Sequence, residues 1–177
     1  MDLWTGTKIA QDLGVSGDQV TRWSATGVLR SIGEVGTAVI YKAQDVKRLS
    51  SAQRANLTVT DALPDAVLVR LGVPSEEPDG RWMGWHESWD EEKKRDAARQ
   101  YWRVKNPAAR ISSALVALVG PLVVGVWNIE DAAIDPTRRK TVFVLGEATP
   151  DQRKAYENHW IELSGQAPVR YWPKRPK

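Results

Sequence analysis

The 177-residue sequence contains no cysteine, two histidines and one phenylalanine, and it has no long uninterrupted apolar run. Without cysteine, the chain can form neither disulfide bonds nor thiolate metal sites, which suits a reducing cytoplasm. The two histidines, His86 and His159, are too few for a histidine-rich metal centre. The longest apolar stretch, residues 114–127, is broken by Gly120 and Pro121 and is shorter than the roughly 18–20 residues of a membrane span. We therefore expect a cytoplasmic protein with no metal, no cofactor and no membrane partner.

The short motifs typical of common enzymes are also missing. The sequence has no glycine-rich phosphate loop ending in Gly-Lys-Ser/Thr, no Gly-x-Ser-x-Gly nucleophile motif and no cysteine nucleophile. His86 and Glu87 lie near the acidic run 90–92, but this spacing does not match a metal-ligand pattern. The acidic run is explained by the first turn of a helix, where negative charge is favoured. We therefore predict that the protein is not an enzyme.

Positive charge is concentrated in the C-terminal part of the chain. The net charge is +3, and residues 101–177 contain twelve basic and seven acidic side chains. Residues 51–100 contain seven basic and ten acidic side chains, and residues 1–50 contain six and five. This distribution is compatible with a nucleic-acid partner without identifying one.

The hydrophobic pattern predicts an α+β protein of two domains. A first domain over residues 1–50 precedes a polar linker over 51–64, a second domain over 65–172 and a basic tail over 173–177. The second domain is expected to be a small mixed α/β barrel-like unit, because strands outnumber helices and follow no regular alternation. Strands are predicted at 65–72, 113–119, 122–129, 140–146 and 168–173, helices at 88–102 and 149–160, and loops at 73–80 and 130–139.

The N-terminal stretch TKIAQDLGVSGDQVTRW, residues 7–23, has the residue types that two steeply crossing helices need. Ala10 permits close approach, Gly14 makes the tight turn and Val20 fills the junction between the helices. Ser16 is placed to cap the second helix, and Gly27 is placed to end it. The residues that follow predict a β-hairpin with its turn at 33–36 and then a helix over 43–49.

This order of helix, turn, helix, hairpin wing and helix resembles the winged helix-turn-helix of the MerR and excisionase families over about residues 3–50. The resemblance implies a sequence-specific DNA-binding protein, a transcriptional regulator or excision-control factor, whose helix 16–24 reads the major groove of double-stranded DNA. Because Asp18 and Glu34 are acidic where these families often have basic residues, homodimerisation or the C-terminal domain would have to add affinity. The implied DNA contacts are Ser16, Asp18, Gln19 and Arg22 on the helix, with Thr37 on the wing and Lys42 beyond it.

The second domain is rich in tryptophan, with three tryptophans in the stretch WMGWHESW at residues 82–89. Such rings either fill a core or form a platform on which bases stack. The pattern from Tyr101 through the strands at 114–130 and 140–147 to the final PVRYW resembles a PUA-like β-barrel over residues 65–172. That superfamily includes the SRA, EVE and YTH readers of modified bases. The resemblance implies binding of modified or single-stranded nucleic acid, with a candidate pocket formed by Trp85, Trp102, Arg103 and Arg170.

Three functions therefore stay open at the level of sequence. The first is sequence-specific DNA binding through the N-terminal domain, and the second is recognition of modified bases or RNA through the C-terminal domain. The third is a protein–protein adaptor, in which the wing and the tryptophans form the contact surface. For the C-terminal domain, an oligomerisation or effector-sensing role is a further alternative.

Overall fold

The computed structural model describes residues 3–54 and 63–172. Within these ranges the fold is mixed α+β, in agreement with the predicted class. The helices are α1 (Gly6–Leu13), α2 (Gly17–Ala25), α3 (Ala43–Ser51), α4 (Glu91–Arg99) and α5 (Pro150–Tyr156). The strands are β1 (Trp4–Thr5), β2 (Ser31–Val35), β3 (Ala38–Tyr41), β4 (Gln53–Arg54), β5 (Ala66–Arg70), β6 (Ser75–Glu76), β7 (Trp82–Met83), β8 (Gln100–Trp102), β9 (Ala114–Val119), β10 (Leu122–Ile134), β11 (Thr141–Glu147), β12 (His159–Trp160) and β13 (Val169–Trp172).

The N-terminal segment, residues 3–54, places helices α1 and α2 between β1 and the hairpin of β2 and β3, and the three strands form a sheet in the order β1-β3-β2. Thr5 caps the N-terminus of helix α1, because its side-chain oxygen accepts a hydrogen bond from the backbone N–H of Lys8. It ends at Gly14, which adopts a left-handed conformation with φ +67° that glycine tolerates without a steric cost. Helix α3 follows the hairpin, and its Asp45 carboxylate accepts hydrogen bonds from the Arg30 side chain and backbone. This ion pair joins α3 to the start of the hairpin.

The C-terminal segment, residues 63–172, forms one curled sheet in the order β13-β5-β9-β10-β11-β8. Strands β5 and β9 are parallel, whereas the other neighbours in this order pair antiparallel. The curl brings the edge strand β13 close to the chain after β8, where Tyr171 Oη accepts a hydrogen bond of 2.8 Å from the Lys105 backbone N–H. In the described residues no backbone pairing joins β13 to β8, so the sheet forms a curled half-barrel.

The sheet separates two hydrophobic clusters. Alternate residues of β5, Val67 and Val69, pack with the N-terminal helices, while Ala66 and Leu68 face the second cluster. In the second cluster, Tyr156 of α5 is fully buried and donates a hydrogen bond to a backbone carbonyl at Pro64. Because the first cluster contains residues from both segments, the N-terminal helices and the sheet share one core.

The predicted linker and tail overlap only in part with the described residues. Ser51 completes α3, and Gln53 and Arg54 form β4, which pairs in parallel with β12. The start of the predicted linker is therefore part of the fold and is attached to the sheet. Residues 55–62 and the predicted tail over 173–177 lie outside the described residues.

Three predicted element boundaries were wrong for physical reasons. The helix expected over 88–102 ends at Arg99, because residues 100–102 turn extended and pair with β11. Strand β10 continues to Ile134 instead of ending at 129, because an irregularity between Ile129 and Asp131 lets the ladder with β11 continue. The helix expected over 149–160 ends at Tyr156, because β12 pairs with β10 and β4.

Candidate nucleic-acid interface

Helix α2 keeps only part of its predicted contact face accessible. The side-chain oxygen of Ser16 caps the helix by accepting a hydrogen bond of 3.2 Å from the backbone N–H of Gln19. Asp18 is exposed in the first turn, where the helix dipole favours its negative charge. Arg22 is exposed one turn later. Ser16, Asp18 and Arg22 are therefore free to meet a partner.

Gln19, in contrast, packs against the C-terminal segment. A methyl group on Gly120, in the turn between β9 and β10, would lie 2.2 Å from Gln19 Oε1, so the Gln19 amide directly covers this glycine. The Gln19 Nε2 atom is buried and has no hydrogen-bond partner among the described residues. In this arrangement the Gln19 amide is turned toward the sheet. It is therefore not presented to a base edge, although the winged-helix resemblance implied that Gln19 contacts DNA.

Trp23 lies beside Gln19 and is fully buried between the two segments. Its Nε1 donates a hydrogen bond of 3.1 Å to the Val119 carbonyl, and its ring meets the edge of Trp160 at a centroid distance of 5.5 Å. Trp160 Nε1 in turn donates to the Leu49 carbonyl in α3. Trp23 of α2 is therefore bonded to β9, and Trp160 of β12 is bonded to α3. Trp23 is a core residue.

The predicted wing residues lie on a different surface. Thr37 is exposed at the tip of the hairpin, and Lys42 is half-buried where α3 begins, without a side-chain capping bond. Every residue of β2 is exposed, including Ile32 and Val35 at about 60% of their surface. The wing thus has a free edge but little positive charge.

The tryptophan-rich loop is used mainly for packing. Trp85, a predicted pocket residue, is 2% exposed and donates through Nε1 to Glu87 Oε2 at 3.2 Å. Trp82 and Trp89 are half-buried, and their rings meet edge-on at 5.7 Å. The ammonium group of Lys93 covers both rings, at 3.9 Å and 4.6 Å from their centroids. Trp85 is therefore placed in the core and cannot offer a face for base stacking.

A groove of about 730 Å³ lies between strands β8 and β11 at one edge of the curled sheet and Tyr171 of β13 at the other edge. We refer to it as the basic groove. Five of its lining residues are basic and none is acidic. Two of the predicted pocket residues, Trp102 and Arg103, belong to it. The lining comprises Trp102, Arg103, Val104, Lys105, Ile134, Arg138, Arg139, Lys140, Thr141 and Tyr171.

Hydrogen bonds fix the two aromatic residues of the basic groove. Trp102 Nε1 donates to the Ala98 carbonyl at 2.7 Å, so the indole is anchored to the end of α4. Tyr171 is held through its hydroxyl by the Lys105 backbone, and the guanidinium of Arg110 lies 4.1 Å from the Tyr171 ring centroid. Because both rings are held in place before any ligand arrives, little side-chain entropy is lost when a planar group binds.

One basic residue of the groove, Arg138, is paired with a carboxylate of a neighbouring loop. Arg138 donates to Asp79 Oδ2 at 2.6 Å and lies 4.3 Å from the Tyr101 ring centroid. The hydrogen bond with Asp79 raises the pKa of Arg138. Arg103, Lys105 and Arg139 are exposed, and none forms an ion pair with a described residue. These three charges are therefore available to an anionic partner.

The last predicted pocket residue, Arg170, lies away from the basic groove. On β13 it alternates with Tyr171, and its guanidinium donates to the Ser164 carbonyl at 2.9 Å. The predicted set Trp85, Trp102, Arg103 and Arg170 is thus divided between the core, the basic groove and a separate surface.

Most of the basic groove lies outside the residues that the sequence pattern indicated. Lys105, Arg139, Lys140 and Tyr171 are not among the predicted site residues, although all four line the groove. The run of three basic residues at 138–140 was the available signal. Its position opposite Trp102 depends on the register of β8 and β11, in which Thr141 pairs with Trp102.

No group of three or more histidine or acidic side chains in residues 3–54 and 63–172 comes together so that it could hold a metal ion. No helix in these ranges has the length and apolar character needed to cross a membrane. Comparisons with protein-family models, with curated proteins and with solved structures find no match for this chain.

Proposed function

We propose that this protein acts by binding nucleic acid and that the basic groove is its principal contact surface. The observation that carries the proposal is the lining of the groove: five basic side chains and two anchored aromatic rings, with no acidic residue among them. Electrostatic attraction to phosphate supplies most of the affinity in such interfaces. Five of the twelve basic side chains of residues 101–177 therefore lie on one surface.

The composition of the basic groove favours single-stranded nucleic acid. Arginine and lysine side chains contact the phosphate backbone, while Trp102 and Tyr171 offer rings on which unpaired bases stack. Base-on-aromatic stacking contributes about 1–3 kcal/mol per base and tolerates different sequences. A paired duplex hides the faces of its bases, so it would use the charges of the groove without the rings.

The test measures binding of fluorescently labelled single-stranded DNA, single-stranded RNA and duplex DNA by anisotropy at several salt concentrations. The double variant Arg103→Gln/Arg139→Gln is expected to weaken single-strand binding and to reduce the slope of log K against log salt by about 1.4, because each neutralised phosphate contributes about 0.7 to that slope. The matched control, Lys47→Gln/Lys154→Gln, removes two exposed charges on α3 and α5 and should keep the slope. Equal effects of both double variants would contradict the assignment to the groove.

A second candidate function is sequence-specific recognition of duplex DNA by the N-terminal segment, in transcriptional regulation or excision control. It is favoured by the exposure of Ser16, Asp18 and Arg22 on α2 and of Thr37 on the wing. The resemblance to the MerR and excisionase families supports the same idea. Selection from a random duplex pool should then enrich a motif, and Arg22→Ala/Thr37→Ala should abolish the enrichment, whereas Arg103→Gln/Arg139→Gln should keep it.

The two functions give different results in the same pair of assays. Single-strand binding that depends on the basic groove, without an enriched duplex motif, supports the first function. An enriched motif that the groove variant still binds supports the second. Absence of binding to every nucleic acid at low salt would refute both and would favour the protein–protein adaptor.

A further inference from the structure

Away from the basic groove, a second cavity lies where α2 meets the end of the large sheet. Its volume is about 370 Å³, and its lining combines residues of α2, β5 and the turn between β9 and β10 with the chain that follows β12. Arg22 and Arg70 contribute its positive charge. The one acidic lining residue, Glu162, is already paired with Arg54 at 2.9 Å.

A third guanidinium stands next to this cavity. Arg70 donates to the carbonyls of Leu163 and Gly165, while Arg170 donates to the carbonyl of Ser164 between them. Arg70 and Arg170 therefore stand side by side along one short loop. We refer to Arg22, Arg70 and Arg170 together as the arginine cluster.

No carboxylate of the described residues compensates the charge of the arginine cluster. None of its three members forms an ion pair with a carboxylate in the described ranges. Burial lowers the pKa of Arg70, and the positive charges of Arg170 and Arg22 lower it further. Like charges held together in this way repel one another, and a bound anion would relieve the repulsion.

An unsatisfied donor lies next to the same cavity. Gln19 Nε2 is buried without a hydrogen-bond partner among the described residues, and the Gln19 amide covers Gly120, which lines the cavity. A buried amide without a partner is uncommon in a folded protein and calls for an acceptor. The unpartnered Gln19 donor therefore lies behind Gly120, beside the positive charge of the cavity, although Gln19 is not one of the lining residues.

We propose that the arginine cluster is a binding site for a phosphate group that bridges α2 and the large sheet. Guanidinium groups present paired N–H donors that match the oxygens of phosphate, and such charge-assisted hydrogen bonds are strong. The phosphate comes either from a free ion or small phosphorylated molecule, or from a nucleic-acid backbone. This site does not use the basic groove and does not depend on the function proposed for it.

A phosphate at this position would hold the two segments together. Arg22 belongs to α2, whereas Arg70 and Arg170 belong to β5 and β13. Because the ligand contacts the folded arrangement only, its binding raises the stability of the whole fold with increasing concentration. The phosphate site would thus fix the position of α2 against the turn at Gly120.

The experiment uses thermal unfolding of the full chain in inorganic phosphate or pyrophosphate, with chloride at equal ionic strength as the reference. We expect the Tm to rise with phosphate and more steeply with pyrophosphate. In Arg22→Gln and Arg170→Gln the apparent affinity should fall about tenfold, because each variant lacks charge-assisted hydrogen bonds to the anion. The control, Lys47→Gln on α3, removes an exposed charge that belongs to neither site and should respond like the wild type.

Two results would overturn the proposal. One is a wild-type Tm that does not depend on phosphate or pyrophosphate. The other is an equal response of the arginine-cluster variants and the Lys47→Gln control, which would indicate a general salt effect. If binding occurs, competition by an unlabelled single-stranded oligonucleotide identifies the source of the phosphate: displacement of pyrophosphate supports a backbone phosphate, and lack of displacement supports a small ligand.

Discussion

Replacement of Trp23 by phenylalanine is expected to destabilise the entire fold and not the N-terminal helices alone. The change removes the hydrogen bond to the Val119 carbonyl, worth about 1 kcal/mol net. It also weakens the edge-on contact with Trp160, worth about 0.5–1.5 kcal/mol, and leaves a small cavity in a fully buried position. Together these effects predict a decrease of about 2–4 kcal/mol in the free energy of unfolding.

A double-mutant cycle with Trp160→Phe makes this prediction specific. Because the two indoles contact each other, we expect a coupling energy of about 0.5–1.5 kcal/mol. Urea unfolding followed by far-UV circular dichroism is the assay, since it does not depend on tryptophan fluorescence. The control cycle pairs Trp23→Phe with Trp89→Phe, a tryptophan that contacts Trp82 instead, and should be additive.

The result that refutes this reasoning is easily recognised. Two independent domains would unfold in two transitions, with Trp23→Phe shifting one and Trp160→Phe the other, and the cycle would show no coupling. A single transition shifted by both substitutions is expected, because the first hydrophobic cluster includes residues of both segments.

The remaining predictions concern three other contacts. Gly120→Ala should destabilise the fold by about 1–3 kcal/mol, because φ is +62° and the new methyl group meets Gln19; adding Gln19→Ala should recover only the steric part, as urea unfolding would show. Burial raises the pKa of Asp45, but hydrogen bonds from Arg30 outweigh this and lower the pKa below its ordinary value. Stability from this pair is therefore present above about pH 4 and lost as the pH falls, and acid titration of Asp45→Asn should lack that loss. Burial raises the pKa of Tyr156 above its ordinary value, so its contribution is present below about pH 10 and lost at higher pH; Tyr156→Phe should flatten the alkaline limb of a stability–pH profile.

Local signals in the sequence located most helices and strands. Ser16 and Thr149 each accept a hydrogen bond at the start of the predicted helix, and Gly14 adopts the left-handed turn expected of it. The alternating and β-branched runs at β5, β9 and β11 also correspond to predicted strands. These features depend on neighbours within a few residues, which is the range that the pattern of one sequence can report.

Features that depend on strand register could not be predicted in the same way. Residues 100–102 have a helical pattern but pair with β11, because tertiary pairing outweighs a weak local preference. The candidate site depends on strand register more than any other predicted feature. Arg103 and Arg139 are far apart in the chain and line one groove only because β8 pairs with β11. The sequence pattern likewise does not show which polar helix positions face solvent, since Gln19 is covered by the distant turn at Gly120.

The packing of α2 bears directly on the choice between the two proposed functions. To read a base with Gln19, the helix would have to leave the turn at Gly120 and break the Trp23 hydrogen bond. If this separation costs about 3–4 kcal/mol, it lowers the apparent affinity for a duplex that Gln19 reads by a factor of roughly 100 to 1,000, because only the open fraction of the protein can bind in that way. The basic groove needs no such rearrangement, since hydrogen bonds already fix Trp102 and Tyr171. A phosphate in the arginine cluster would increase the difference further, because it would stabilise the closed position of α2.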